Sequence, residues 1–311
     1  SNKIGYQEIM REVCSVSTPK IGFVLIIHFL LSTDFVPAAP EARPAAAPDF
    51  KELGVSYTLK TSTSPVPNRI HILRIDLAPG KVEPVVVLGA DPDGDGPAEA
   101  SLTDPRKMAS DPSVLAFVNT NPWDSFPDSK GRRNRKWHSG QPVDIHGLAG
   151  TGGKMRSSAP PSNTSVWFDN EGRVRFGHQA GDEPVVATNG FQMIVSNGAL
   201  TVGEGGVRHP RTAIGSDKKG KTLWLVVVDG RQRGYSEGMN MHELASVMKG
   251  LGCWTATNMD GGGSSVMGLL DEDGSMKVVN SPSDRFLGRV KIRPLPMVLT
   301  IRDAKGAQEQ E

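Results

Sequence analysis

LWLVVVDG (223–230), NMHELASVMKG (240–250) and WTATNMDGGGSS (254–265) carry most of the architectural information in this chain. Leu223 to Val228 is a continuous apolar run of the kind a sheet buries on both faces. The period then changes, with Met241, Leu244, Ala245, Met248 and Leu251 at helical spacing. Asn240 reads as the N-cap, Glu243 as its capping-box partner, and Gly250 and Gly252 as stops. Trp254 to Met259 returns to extended structure. Strand, helix, strand predicts a parallel βαβ crossover, with Asp229 and Asp260 just past the carboxyl ends of neighbouring strands, where such sheets bind ligands.

Upstream, the pattern is of short strands and turns. Arg69 to Leu77 (RIHILRIDL) alternates apolar and polar residues as a half-buried strand does. Val82 to Leu88 and Val114 to Val118 read as interior strands. Val166–Phe168 and Arg173–Phe176 flank Asp169-Asn170-Glu171-Gly172, a hairpin signature. Ser125 to Ser165 reads as one long polar, Gly-rich segment headed by KGRRNRKWHSG (130–140), a length of loop that is usually functional or flexible. The expected fold class is mixed α/β (α+β), a strand-rich single catalytic domain over 50–303 whose βαβ unit carries the site in its C-terminal half. A tail follows at 304–311, expected to be disordered.

The first fifty residues read as an address. Ile21 to Leu31 is an eleven-residue apolar run preceded by Arg11 and Lys20, too short for a bilayer span of about 20 residues but suited to a secretory signal. Val36-Pro37-Ala38 places small residues for cleavage after Ala38, so 1–38 reads as an export segment and 39–49 as a Pro/Ala linker. The expected setting is secreted, periplasmic or cell-envelope, with membrane contact only through the signal.

Composition narrows the class. The 311 residues carry a net charge of +1, which leaves no basic excess to displace counterions from nucleic-acid phosphates. With 35 Gly, 23 Pro and aromatics at 6%, the chain reads as turn-rich and strand-rich, not as a helical bundle. Two cysteines, Cys14 and Cys253, exclude a disulfide scaffold; Cys253, beside Trp254, reads as a small buried hydrophobe.

The strongest local signal is Asn258-Met259-Asp260-Gly261-Gly262-Gly263-Ser264-Ser265. Three glycines let backbone amides approach a ligand closely and two hydroxyls add donors, which suits a phosphate or another oxyanion. The same letters also serve a plain flexible turn. Asp91-x-Asp93-x-Asp95-Gly96 has the alternating carboxylates of a calcium loop, with Glu99 beyond, but Leu102 stands where the bidentate Glu belongs; a solvated acidic turn is the preferred reading and calcium at Asp91, Asp93 and Asp95 the alternative. His138, Asp144 and His146 match no standard zinc spacing, and no cofactor is expected.

Taken together, His209-Pro210-Arg211-Thr212-Ala213-Ile214-Gly215, Val228-Asp229-Gly230-Arg231, Ser236-x-Gly238, Glu243-Leu244-Ala245, NMDGGGSS and Val279-Asn280-Ser281-Pro282-Ser283-Asp284 resemble the phosphodiester glycosidases in order and spacing. The resemblance is tight from about Arg208 to Asp284. Upstream, FVNTNPW (117–123) departs from the family's Asn-Ala-Gly-aromatic segment. The resemblance implies hydrolysis of a GlcNAc-like sugar attached through its anomeric carbon to a phosphodiester.

On that reading Arg211 and Arg231 neutralise the phosphate by planar hydrogen bonds. Asp260 and Asp229 are the candidate carboxylates for an oxocarbenium-like transition state, with either as nucleophile or base. His209 assists or helps to neutralise charge. Thr212, Asn119, Asn258, Gly261, Gly262, Gly263, Ser264 and Ser265 complete the substrate-binding candidates. Each has a structural alternative: Asp229-Gly230 as a turn, Arg211 as a salt-bridge partner, His209 as a packed ring, the two asparagines as loop caps. Glu243 is left to the helix. Two other functions fit the same residues: a glycan-processing enzyme acting on phosphate-free polymer such as exopolysaccharide, and a non-catalytic module for anionic envelope glycans served by Lys130 to Lys136.

Overall fold

Leu223, Leu225 and Val227 face one hydrophobic cluster, whereas Trp224, Val226 and Val228 face another, and all six are buried. Their strand, Thr222–Val228, lies inside a seven-stranded sheet ordered Val55–Ser62, Asn68–Asp76, Thr222–Val228, Arg211–Ser216, Thr255–Asn258, Gln192–Ser196, Ala199–Leu200. One face of that sheet is covered by the helix Met241–Gly250 through Leu244, Ala245 and Met248. The other face packs on two five-stranded sheets, through Val118, Leu299 and Ile301 of one and Val166, Phe168 and Val186 of the other.

The computed structural model describes residues 49–308, all within one compact unit. The export segment, its cleavage site, Cys14 and the linker as far as residue 48 lie outside the described residues. No helix among the described residues is long and apolar enough to cross a membrane. The expected tail begins with a helical turn, Ala304–Gln308.

The strand-rich expectation holds; the parallel crossover needs correcting. Every strand pairing in the large sheet is antiparallel. Thr222–Val228 and Thr255–Asn258 do run the same way, but Arg211–Ser216 lies between them, antiparallel to both. The apolar run therefore reported two covered faces, not strand direction.

The helix forms as its sequence dictates. The Asn240 side chain accepts from the Glu243 amide at 2.8 Å, and Glu243 Oε2 accepts from the Asn240 amide at 3.0 Å, a complete capping box. The 169–172 hairpin also forms, between Ser162–Phe168 and Val174–His178. Asn68–Asp76 departs from simple alternation: His71, on the polar phase, is 1% exposed because Asp229 and Tyr57 satisfy both ring nitrogens. The segment after Ser125 is not one loop; it contains strands Pro142–Ile145, Ala149–Thr151 and Lys154–Ser157.

Strand direction then assembles the site. The ends of Thr222–Val228 and Thr255–Asn258 and the start of Arg211–Ser216 meet at one edge, where Arg211 pairs with Val228 and Ala213 with Asn258. Gln192 pairs with Asn258 there as well, which brings Phe191 to the same edge.

Candidate active site

A cleft of about 460 Å³ opens at that edge, lined by Asp260, His209, Arg211, Arg231, Asn258, Arg293, the glycines 261–263 and the apolar walls Phe191, Met241 and Met259. A larger cavity, about 580 Å³, lies elsewhere beside Leu148 and His178, but has no lysine or arginine on its wall. Chemistry, not size, singles out the cleft.

Among the described residues, Asp260 is the one carboxylate lining it. Burial pushes its carboxyl up to about 6, against weaker opposing pulls from the Ser264 hydroxyl, Arg293, the Gly261 amide and His146. The surrounding backbone is fixed: the Asp260 amide donates to Thr120 O at 2.9 Å and Asn119 Nδ2 donates to Asp260 O at 2.7 Å.

Opposite stand two arginines without a carboxylate partner among the described residues. Arg211 donates to the carbonyls of Met239 (2.9 Å) and Val207 (3.1 Å); burial first, then the charge of Arg231, lowers its pKa. Arg231 holds φ at 57°, a left-handed conformation that costs a non-glycine residue roughly 1 kcal/mol. Its guanidinium faces His209 Nδ1 at 3.2 and 3.3 Å. That contact requires Nδ1 to accept, so the ring is neutral with its proton on Nε2. Burial, then Arg231 and Arg211, lower the His209 pKa in agreement. His209 thus enters the cleft as a neutral donor and adds no positive charge.

The glycines do something other than present free amides. The Gly262 amide is taken by Pro210 O at 3.0 Å and the Gly261 amide by Asp260. What the site needs is their missing side chains. A Cβ at Gly261 would stand 2.8 Å from Pro210 O, one at Gly262 3.1 Å from Arg231 Nη1, and one at Gly263 would overlap the Arg293–Asp284 ion pair. Gly262 also has φ of 63°. Gly262→Ala is therefore expected to raise KM for an anionic substrate about tenfold by displacing Arg231, with a stability loss of only about 1 kcal/mol. Steady-state kinetics beside a thermal melt checks both.

Several sequence candidates take other places. Asp229 is 1% exposed and does not line the cleft: its Oδ2 faces His71 Nε2 at 3.2 Å, and its Oδ1 accepts from the Ser281 amide (2.8 Å) and Asn280 Nδ2 (3.1 Å). Asn119 and Thr212 are buried, Thr212 Oγ1 donating to Asn119 Oδ1 at 2.7 Å; they hold the Asp260 turn from behind. Ser265 is buried outside the cleft lining, and Ser264 reaches Asp260 and Arg293 from below. Asn258 does line the cleft, and its buried Oδ1 has no hydrogen-bond partner among the described residues.

Sequence reasoning missed Arg293 and Phe191, and singled out His146 for other reasons. Arg293 donates to Asp284 through Nε (2.9 Å) and Nη2 (3.1 Å) and to Ser264 Oγ at 3.2 Å. Phe191 is 56% exposed at the cleft. Neither residue stands in a motif of the sequence, so no local signal marked them.

In the acidic turn, Asp91 Oδ1 accepts from the amides of Asp93 and Gly94, and Asp93 Oδ2 from Ala98 N; Glu99 Oε2 accepts from Ile145 N. Neither this turn nor His138, Asp144 and His146 forms a group of three metal-ligating side chains among the described residues.

The strand-rich fold thus sets one half-buried carboxylate, Asp260, in a cleft with Arg211 and Arg231, which have no carboxylate partner among the described residues. Residues 138–302 match the phosphodiester glycosidase family, and the chain belongs to it. The fold is similar to the zebrafish N-acetylglucosamine-1-phosphodiester alpha-N-acetylglucosaminidase catalytic domain, solved auto-inhibited by its pro-peptide: TM-score 0.57 at 21% identity, over 80% of this chain and 82% of that one. The SPbeta prophage-derived uncharacterized protein YomE of Bacillus subtilis (strain 168) is 25% identical over 171 residues, 51% of this chain. The chain spans only 24% of that relative's length.

Proposed function

We propose that the protein hydrolyses a glycosyl-1-phosphodiester, releasing the sugar from the phosphate. The observation that carries this reading is the placement of Asp260 alone among acids in a cleft with Arg211 and Arg231. Two guanidiniums whose only partners among the described residues are carbonyls and a neutral imidazole suit a phosphodiester, which offers planar pairs of oxygens to planar donors. His209 Nε2–H adds a neutral donor to the same group. Asn258 Oδ1 is an acceptor for a sugar hydroxyl, and Phe191 an apolar platform for a sugar ring.

In the reaction the bond between C1 and the bridging oxygen breaks, and its electron pair leaves on the phosphate. Water supplies the new C1 hydroxyl and releases a proton. The departing phosphate monoester is a weak base held by arginines, so it leaves without a dedicated acid. This fits a cleft with one carboxylate where the usual glycosidase scheme has two. Ionised Asp260 stabilises the positive charge that develops at C1. Residues 21–38 support export, which would place the substrate in the envelope or outside the cell.

Ionisation of Asp260 sets the acid limb. Its carboxyl titrates near 6, so kcat is expected to fall about tenfold per pH unit below that value and to level off above it; a limb near 4 would remove Asp260 as the titrating group. The function itself is tested by a matched pair of substrates, a GlcNAc-α-1-phosphodiester and an α-GlcNAc glycoside lacking phosphate. Preference for the phosphodiester by about 1,000-fold in kcat/KM is expected; equal turnover would favour a phosphate-free glycan, and saturable binding without turnover a non-catalytic module.

A further inference from the structure

Across Arg293 from the cleft lies a second cavity, also about 460 Å³, lined by Arg135, Lys136, His138, Arg285, Lys291 and Arg293. Its one acid, Asp284, is already paired with Arg293. Arg135 is met by Asp124 outside the cavity at 2.9 Å. Lys136, Arg285 and Lys291 have no carboxylate partner among the described residues. Arg285 is held in place by Gln232 Oε1 at 2.6 Å and by the carbonyl oxygens of Pro282 and Asp284.

The basic segment is built into this wall rather than trailing in solvent. Arg133 and Arg135 both grip Asp124, and Gln141 Nε2 donates to Asn134 O at 2.8 Å. The Trp137 ring packs edge-on against Trp123 at 5.7 Å. Lys291 Nζ reaches Trp137 O at 3.5 Å, which ties the two cationic strips together. Like charges gathered in a concavity repel one another and focus a positive potential, so the cavity is set up for an anion.

We infer that this cavity is a second phosphate site, which takes the next phosphate of the leaving group while the scissile one sits between Arg211 and Arg231. The inference rests on the function proposed above and narrows its substrate class to sugars carrying at least two phosphates in series on the aglycone side. Arg293 belongs to both walls and links the two subsites. The shared chemistry, a second phosphate, has two sources: a diphosphate link, as in UDP-N-acetylglucosamine, and a repeating phosphodiester, as in GlcNAc-1-phosphoglycerol phosphate.

The test uses the full chain and the double variant Lys136→Gln/Lys291→Gln, neither residue being part of the cleft. Three substrates are compared: methyl GlcNAc-α-1-phosphate with one phosphate, and the two compounds just named. The expected result is a KM at least tenfold higher in the variant for one or both two-phosphate substrates, with kcat and the one-phosphate substrate unchanged; which of the two responds identifies the source. An equal KM rise for all three, or none, would overturn the proposal. If no substrate is turned over, the proposed function fails by itself, and titration with inorganic phosphate decides the cavity. Two sites in wild type and one in the variant uphold it; equal stoichiometry overturns it.

Discussion

Asp260→Asn is expected to lower sugar release at least 1,000-fold, about 4 kcal/mol of transition-state stabilisation, and at the same time to stabilise the fold at pH 8. The two effects share one cause. Burial holds the Asp260 carboxyl at about 6 against an ordinary 3.8, so the folded protein keeps this proton more tightly than the unfolded chain. A carboxyl raised in this direction contributes no penalty below pH 4. The penalty grows between about 4 and 6 and is complete above 6. Every tenfold gain in proton affinity on folding corresponds to about 1.4 kcal/mol; allowing for the solvent that still reaches the side chain, the asparagine variant gains on the order of 1–2 kcal/mol at pH 8 and nothing at pH 4. Thermal melts at the two pH values, beside an activity assay, read this directly. Loss of activity with no stability gain at pH 8 would mean that burial does not burden this carboxyl; retained activity would remove Asp260 from the chemistry.

Asp229→Ala has the opposite signature. Asp229 is buried with both oxygens engaged, by His71 on one side and by Ser281 and Asn280 on the other. Truncation leaves the buried His71 and Asn280 and the half-buried Ser281 amide without this acceptor, and the expected loss is about 3–5 kcal/mol. Since the side chain does not line the cleft, activity per folded molecule at low temperature is expected to stay within about tenfold of wild type. Denaturant unfolding gives the first quantity, and assays at a temperature where the variant remains folded give the second. A stable but inactive variant would return Asp229 to the catalytic machinery.

These contrasting roles mark where sequence reading stops. The capping box was legible because its partners are three residues apart and every contact is local. The Leu223–Val228 run was legible as doubly covered, but not as antiparallel, since a run of apolar residues records which faces are buried and not the partner strands. Both aspartates stood past strand ends, as expected. The fate of Asp229 was decided by His71, 158 positions away, which the alternation of its own strand marked as a solvent-facing residue. The triple glycine reads in the sequence as a point where backbone amides approach a ligand; in the structure the close approaches are those of Pro210, Arg231 and the Arg293–Asp284 pair. Arg293 joins the cleft from a segment with no motif of its own. Family resemblance found the residues around Arg211 and Asp260; the division between those that face a substrate and those that hold the turn from behind needed the fold.

If Asp260 stabilises positive charge at C1, the bond broken lies between the sugar and the phosphate oxygen, and solvent labelling reveals which bond that is. Wild-type protein is incubated with a GlcNAc-α-1-phosphodiester in ¹⁸O-water, and the products are weighed by mass spectrometry. Free GlcNAc carrying the label at C1, beside an unlabelled phosphate monoester, is the predicted result. Label in the phosphate, with sugar-1-phosphate released, would mean that water attacks phosphorus instead and would contradict any action of Asp260 on the sugar carbon.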